Sequence, residues 1–295
     1  MSSAGSQLLS QTSFPAPGTA VELAVSGGPD SLGLLLLALE HGLSVRVAHV
    51  DHHARPTSSD EAEYLRGICE ELGVPILIHD VTVELGANFE ERARLERRRV
   101  LSQEALTGHT MDDVAETIVL NMLRGAGSTG LSPMINDPTK PLAGVRRADL
   151  HAYVAQSPYK PIIDPSNADL NYRRNEVRHT LLPHMNEVAQ RDVVPILYRQ
   201  ATVLFEEREW LDLLFPEDSS LSLEQADCRV LRDWPRARLR RWLRFQLATG
   251  DSFNRVPPTL DEVDRAIEVI NGEFIATELS GGRRLARKDQ ALYWG

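Results

Sequence analysis

The stretch from Val21 to Leu39, VELAVSGGPDSLGLLLLAL, constrains the fold of this chain more than any other. An apolar run rich in valine stops at Ser-Gly-Gly-Pro-Asp-Ser, and a leucine-rich segment follows, closed by Gly42. That reads as a strand, a corner and a buried helix. The same unit recurs. LSVRVAHV is a second strand, SSDEAEYLRGICEELG a helix ending at Gly73, and VPILIHDV a third strand. A helical NFEERARLERRRVLSQEA, a short ALTGH and a helix from about Asp112 to Leu123 come next. Strands alternating with helices predict an α/β fold, a doubly wound and mostly parallel Rossmann-like sheet covered on both faces. Right-handed crossovers put all strand C-termini on one edge, where such sheets bind ligands. The Ser-Gly-Gly corner, HVDHH and TGH all fall on that edge.

Four regions are expected. Residues 1–18 read as a flexible leader and 19–186 as the α/β domain. Within it, the Gly- and Pro-rich stretch from about 125 to 165 reads as loops around one short helix near Asp149–Gln156. Residues 187–215 read as one long amphipathic connector helix. Residues 216–295 read as a small α+β module, with a basic helix near Arg236–Leu247, a helix over Thr259–Asn271 and short closing strands. With 42% hydrophobic and 25% charged residues in 295 positions, the chain has enough apolar content for real cores. Its two cysteines, Cys69 and Cys228, have no Cys or His at metal spacing. The longest apolar run, Leu34–Leu39, is too short to cross a membrane, and the first residues lack both basic charge and an apolar stretch. The cytoplasm is therefore expected, with no membrane partner. The net charge of −10 argues against a nonspecific nucleic-acid binder. Yet YRRNEVRH and RARLRRWLR are local basic patches, and only three of the cations are lysines.

The corner itself is built for an anion. A strand turning through glycines into a helix exposes converging N–H groups at the positive end of the helix dipole. Gly27 and Gly28 let a phosphate approach the backbone, and Pro29 fits the first turn. Ser26 and Ser31 add hydroxyls, and Asp30 is placed to hold a divalent cation on the phosphates. A Walker loop requires a lysine that is missing here, and a dinucleotide fingerprint requires G-x-G-x-x-G, which is also missing. Ser26-Gly27-Gly28-Pro29-Asp30-Ser31 resembles the S-G-G-x-D-S loop of the N-type ATP pyrophosphatases, the PP-loop family. The resemblance implies ATP as co-substrate, Mg²⁺ as cofactor and a grip on the leaving pyrophosphate.

Further motifs narrow it. GHTMDDVAETIVLNMLRGAGSTGL resembles the G-H-x-x-D-D-x-x-E-T…L-x-R-G-x-G-x-x-G-L signature of the tRNA(Ile)-lysidine synthetase family. DPSNADLNYRRNEVRHTLLP is similar to that family's D-P-S-N…R-N-x-[IV]-R…L-P stretch, HVDHHARP to its H-V-N-H-G-L-R, and ELSGGRRLARKDQALYW to the end of its small substrate-binding domain. Such enzymes adenylylate the C2 oxygen of the wobble cytidine of a CAU-anticodon tRNA(Ile) and displace AMP with L-lysine. On that resemblance Asp30, His52, His109, Asp112, Asp113 and Glu116 are the catalytic candidates, with Asp30 and Asp112 as metal ligands. Arg55, Arg124, Arg173, Arg174, Asn175 and Arg178 are candidates for contact with tRNA or AMP. Alternatives stay open at single residues. Asp112 also reads as a helix N-cap, His109 as a partner of a backbone group, and Arg173, Arg174 and Arg178 as solvated helix charges. The basic helix reads as a plain amphipathic one or as a brace for tRNA. Whether two copies pair as a homodimer is left open.

The chain departs from the family pattern in two places. Asp51 stands for the usual asparagine, His53 for glycine and Ala54 for leucine, and the segment before TGH is short, so either a clipped fourth strand or a shortened preceding helix is expected. Asp51-His52-His53 also suggests a DHH-type phosphoesterase, but that class needs an upstream D-x-D and a downstream Gly-rich His segment, and neither is present. The remaining alternatives are a PP-loop enzyme acting on another acceptor and a tRNA-binding homologue with weakened catalysis.

Overall fold

The structure is a computed structural model and describes residues 3–51, 58–81, 92, 96–97, 99–163, 169, 172–214, 221–250 and 256–295. It divides into two compact units, Met1–Arg208 and Glu209–Gly295. Among the described residues no helix is long and apolar enough to cross a membrane.

The first unit is built on a parallel sheet ordered β3-β2-β1-β4, from β1 (Ala20–Ala24), β2 (Ser44–Asp51), β3 (Ile76–Asp80) and β4 (Leu106–Thr107). The order reverses at β1, so the corner after β1 lies at the switch point of the sheet, where ligands enter. As the short preceding segment suggests, β4 is two residues long and pairs Leu23 with Leu106 and Ala24 with Thr107. Helices α2 (Pro29–His41) and α3 (Ser58–Glu71) supply the crossovers. Leu32, Leu34, Leu35 and Leu37 of α2 are fully buried with Leu23, Leu65 and Leu150 in one core. The helix is apolar nearly all round because sheet and helices enclose it.

Residues 3–18 correct the expectation of a flexible leader. Helix α1 (Ser3–Leu9) buries Leu8 in the first core, and the Ser13 N–H donates to the Pro141 carbonyl. Phe14 stacks on His41 with ring centroids 5.5 Å apart. Too short to announce itself by periodicity, α1 is held by packing.

A second core of the same unit joins α4 (Met111–Leu123) to the C-terminal helices through Val114, Ile118 and Val119 against Val177, Leu182 and Leu197. Helix α5 (Ser128–Leu131) is one turn in the glycine-rich stretch, and α6 (Arg147–Val154) is its short helix. Helix α7 (Arg173–Glu176) passes through a π turn, Val177–Leu181, into α8 (Leu182–Ala189). The single long connector is also corrected. α8 ends at Gln190 in the left-handed region, φ 53°, and α9 (Val194–Leu214) starts afresh, with the Asp192 carboxylate accepting from the Val194 N–H at 3.0 Å. Pro195 then fits the first turn of the new helix.

The second unit holds α10 (Cys228–Arg232), α11 (Arg236–Gln246), α12 (Leu260–Asn271) and an antiparallel sheet β5-β6-β7 (Ala276–Leu279, Arg283–Lys288, Ala291–Trp294). Leu239, Trp242 and Leu243 of α11 meet Val263, Ala266 and Ile270 of α12 in its core. Arg236 and Arg240 of α11 both pair with Asp264 of α12, and Arg241 pairs with Asp212.

Candidate active site

The corner after β1 is a tight, internally bonded loop. Gly27 has φ +82°, and a Cβ there would come within 2.4 Å of the Ile162 side chain, so only glycine fits. The Ile162 N–H donates to the Gly27 carbonyl at 2.9 Å, holding the loop from outside. Ser31 knits the inside: its hydroxyl donates to the Gly28 carbonyl at 3.0 Å and accepts from the Ser26 N–H at 3.2 Å. Gly28 is the N-cap of α2 and Pro29 opens the helix, with no side chain capping that end. The first-turn donors of α2 therefore face the sheet edge with a positive dipole behind them. Gly108 closes the far side, where a Cβ would meet the Asp30 carbonyl oxygen at 2.7 Å. TGH thus passes directly over the backbone of the loop.

Behind the loop lies a network of buried acids and arginines. Thr110 caps α4, and Asp113 accepts from its N–H and its hydroxyl, both at 2.8 Å. The cap is therefore Thr110 and not Asp112. Asp112 instead receives Arg146 through two nitrogens, at 3.1 and 3.2 Å, and the Arg147 N–H at 2.8 Å. Glu116 is fully buried. Its two oxygens accept from Arg147 at 2.8 Å, Arg174 at 2.8 Å and Arg178 at 2.6 and 3.1 Å. Arg147 and Arg174 also donate to Asp113, at 2.8 and 2.9 Å. Two carboxylates thus share three guanidiniums.

Burial alone would push the Asp113 and Glu116 carboxyls up, but the surrounding arginines outweigh it and hold both below the ordinary carboxylate range. Asp112 is shifted the same way, with Arg146 and the Arg147 N–H outweighing its burial. Burial likewise pushes Arg147 down, and Asp113, Glu116 and Asp30 more than reverse it. All these groups are fully ionised at neutral pH. His109 goes the other way. Burial and then the nearby Lys140 bring it down to about 4, so its imidazole is neutral at pH 7. Its Nδ1 lies 2.7 Å from the Thr107 hydroxyl.

The structure therefore gathers Asp30, His109, Asp112, Asp113, Glu116, Arg174 and Arg178 around one sheet edge. The acids differ from their expected presentation. Each Glu116 oxygen is taken up by arginines and Asp112 is clasped by Arg146, so the geometry is that of charge-paired anchors and not of open bases or metal ligands. Among the described residues no three His, Cys, Asp or Glu side chains converge to hold a metal. Asp30 is the carboxylate that suits Mg²⁺, because its side chain is 32% exposed and opens beside the phosphate loop. Mg²⁺ commonly uses one or two carboxylates and completes its shell with substrate phosphates and water, so a single carboxylate fits. Arg124 and Arg173 are exposed, at the end of α4 and the start of α7. Asn175 turns inward and donates to the Asp169 carbonyl at 2.9 Å. His52 and Arg55 lie outside the described residues.

Two central residues, Arg147 and His151, went unnoticed in the sequence. The signal was RRADLH, basic residues one turn apart at the start of a short helix. Helix α6 packs on α2 where Leu150 lies against Gly33, so closely that a Cβ at Gly33 would come within 2.6 Å of it. This contact aims Arg147 and His151 at Asp30, with His151 Nε2 2.7 Å and Arg147 Nε 3.5 Å from its two oxygens.

A parallel sheet with a phosphate loop at its switch point defines a nucleotide-binding α/β protein, and the PP-loop domain model matches residues 3–185. The chain is 33% identical over 268 residues to a tRNA(Ile)-lysidine synthase of Gloeobacter violaceus, covering 83% of this chain and 82% of that one. It is 33% identical over 284 residues to one of Mycolicibacterium paratuberculosis, covering 92% and 88%. A relative of the same name from Caldanaerobacter subterraneus is 30% identical over 46% of its own length. The chain belongs to the tRNA(Ile)-lysidine synthase family. A U34-tRNA thiolase of Methanococcus maripaludis shares the fold, with TM-score 0.54 and 19% identity over 69% of this chain and 78% of that one.

Proposed function

We propose that the protein is an ATP-dependent ligase that joins L-lysine to C2 of the wobble cytidine of CAU-anticodon tRNA(Ile), acting in the cytoplasm. The reaction runs through an adenylylated tRNA and releases pyrophosphate, then AMP. The observation that carries this reading is Arg147, which joins the phosphate loop to the buried acids through Asp30 on one side and Asp113 and Glu116 on the other. Anion grip and acceptor chemistry then share one wall.

The residues divide the work. Ser26, Gly27, Gly28 and Ser31 hold the phosphates with backbone and hydroxyl donors, which favours pyrophosphate as leaving group. Asp30 would hold Mg²⁺, whose chemistry there is to neutralise phosphate charge. The cytidine carbonyl is a poor electrophile, and adenylylation makes its oxygen a leaving group. Asp112, Asp113 and Glu116 fix the guanidiniums of Arg146, Arg147, Arg174 and Arg178, so that preorganised positive charge faces the developing negative charge. His109, neutral at pH 7 and held by burial and Lys140 against protonation, is assigned to contact the nucleotide by its uncharged ring. Exposed Arg124 and Arg173, with Arg55, are assigned to tRNA, and residues 216–295 to binding it as well.

The thiolase fold neighbour raises a second incoming group, sulfur in place of the lysine amine, and that thiolase carries a 4Fe-4S cluster. This chain has two cysteines in all, both buried and with thiols pushed up by burial, so it brings no cysteine set for such a cluster. The decisive experiment incubates the protein with ATP, Mg²⁺, labelled lysine and a CAU-anticodon tRNA(Ile) transcript. Label should enter the RNA only when ATP is present, and a UAU-anticodon transcript should stay unlabelled. ATP binding without transfer of lysine would sink the reading.

A further inference from the structure

We propose that His151 is a positioning residue for the Asp30 carboxylate, fixing it as an ordered ligand for the cation that accompanies ATP; this rests on the ATP-dependent reading above. Asp30 has two neighbours on α6, one at each carboxylate oxygen. His151 Nε2 is 2.7 Å from Oδ1, a hydrogen bond. Arg147 Nε is 3.5 Å from Oδ2, too far for one, and it is a buried N–H with no hydrogen-bond partner among the described residues. The other Arg147 nitrogens are committed to Asp113 and Glu116. A buried donor without a partner is unfavourable, so Arg147 Nε draws on Oδ2. The hydrogen bond from His151 fixes Oδ1.

The arrangement is set by backbone packing. Asp30 and Gly33 are one turn apart on α2, and Leu150 lies on Gly33 with no room for a Cβ between them. Arg147 and His151 flank Leu150 on α6, so both side chains arrive at Asp30 whenever the helices dock. An ionised carboxylate only accepts, so Nε2 must carry the proton in the neutral as well as the charged imidazole. The bond therefore survives either state of the ring. The His151 and Asp30 side chains are 40% and 32% exposed, so the carboxylate is held and still reached by solvent.

The test measures ATP affinity of the full chain without tRNA, once in Mg²⁺ and once in EDTA. In His151→Leu the affinity in Mg²⁺ should fall about tenfold, the size typical when an outer partner of a metal ligand is lost. Affinity in EDTA should stay unchanged. His151→Gln, whose amide N–H reaches the Nε2 position, should restore most of the loss. If His151→Leu does not fold, His151→Asn takes its place, since its amide stops short of Asp30. Unchanged affinity in Mg²⁺, an equal loss with and without Mg²⁺, or a glutamine variant as weak as leucine would each overturn the proposal. Absence of ATP binding by the wild-type chain would overturn the ligase reading, and the proposal with it.

Discussion

Glu116 shows how one residue can set a whole site. It is buried among three guanidiniums, and each of them reaches it from a different helix or helix turn. Removing one partner from a buried charge pair leaves the others uncompensated, at a cost of about 3–5 kcal/mol. Glu116→Gln keeps the shape and removes the charge, so it should lower the stability of the first unit by that order in urea titrations. The loss should shrink in acid. The folded carboxyl lies below its ordinary value, so its stabilisation is complete above the unfolded pKa and disappears as pH falls through the folded one. Wild type and variant should therefore converge well below pH 4.5. A constant difference down to that range would show that the arginines do not act on Glu116 through its charge.

At the scale of elements, a comparable carboxylate organises the second unit. Glu262 completes a capping box on α12, accepting from the Thr259 N–H at 2.8 Å and from its hydroxyl at 2.9 Å. Its other oxygen accepts from the Ser280 N–H at 2.6 Å, tying the helix to the turn after β5. These N–H bonds bring the carboxyl down to about 2. Glu262→Ala should cost about 2 kcal/mol, more than a simple cap, because the Ser280 donor is orphaned too. Amide exchange should quicken at Ser280 and in the first turn of α12, and unchanged exchange there would refute the tie. The helix over Thr259–Asn271 was visible in the sequence, and so were the β1–corner–α2 unit, the parallel alternation and the paired acids of GHTMDD. The rest was hidden for physical reasons. VRRADLHAY reads as an ordinary charged helix face, and only the Leu150–Gly33 contact turns Arg147 and His151 toward Asp30. The break at Gln190 depends on a left-handed residue that is not glycine. Helix α1 is too short to show a period.

At the scale of the molecule, the two units have separate cores that share no residue. The loop and the arginine network belong to Met1–Arg208, while all four tryptophans, Trp210, Trp234, Trp242 and Trp294, lie in Glu209–Gly295. That asymmetry makes the units separately observable. On the proposed function Mg·ATP binds the folded first unit, and at a hundredfold excess over its dissociation constant it should stabilise that unit by about 2.7 kcal/mol. For a unit of this size the shift corresponds to roughly 5–10 °C. Calorimetry should show two transitions, of which one moves with Mg·ATP. Tryptophan fluorescence should follow the other and stay in place. Glu116→Gln should lower only the nucleotide-sensitive transition, and Glu262→Ala only the fluorescent one. If the fluorescence transition moves with Mg·ATP as far as the calorimetric one, the units unfold as a single cooperative body, and binding at the loop is felt throughout the chain.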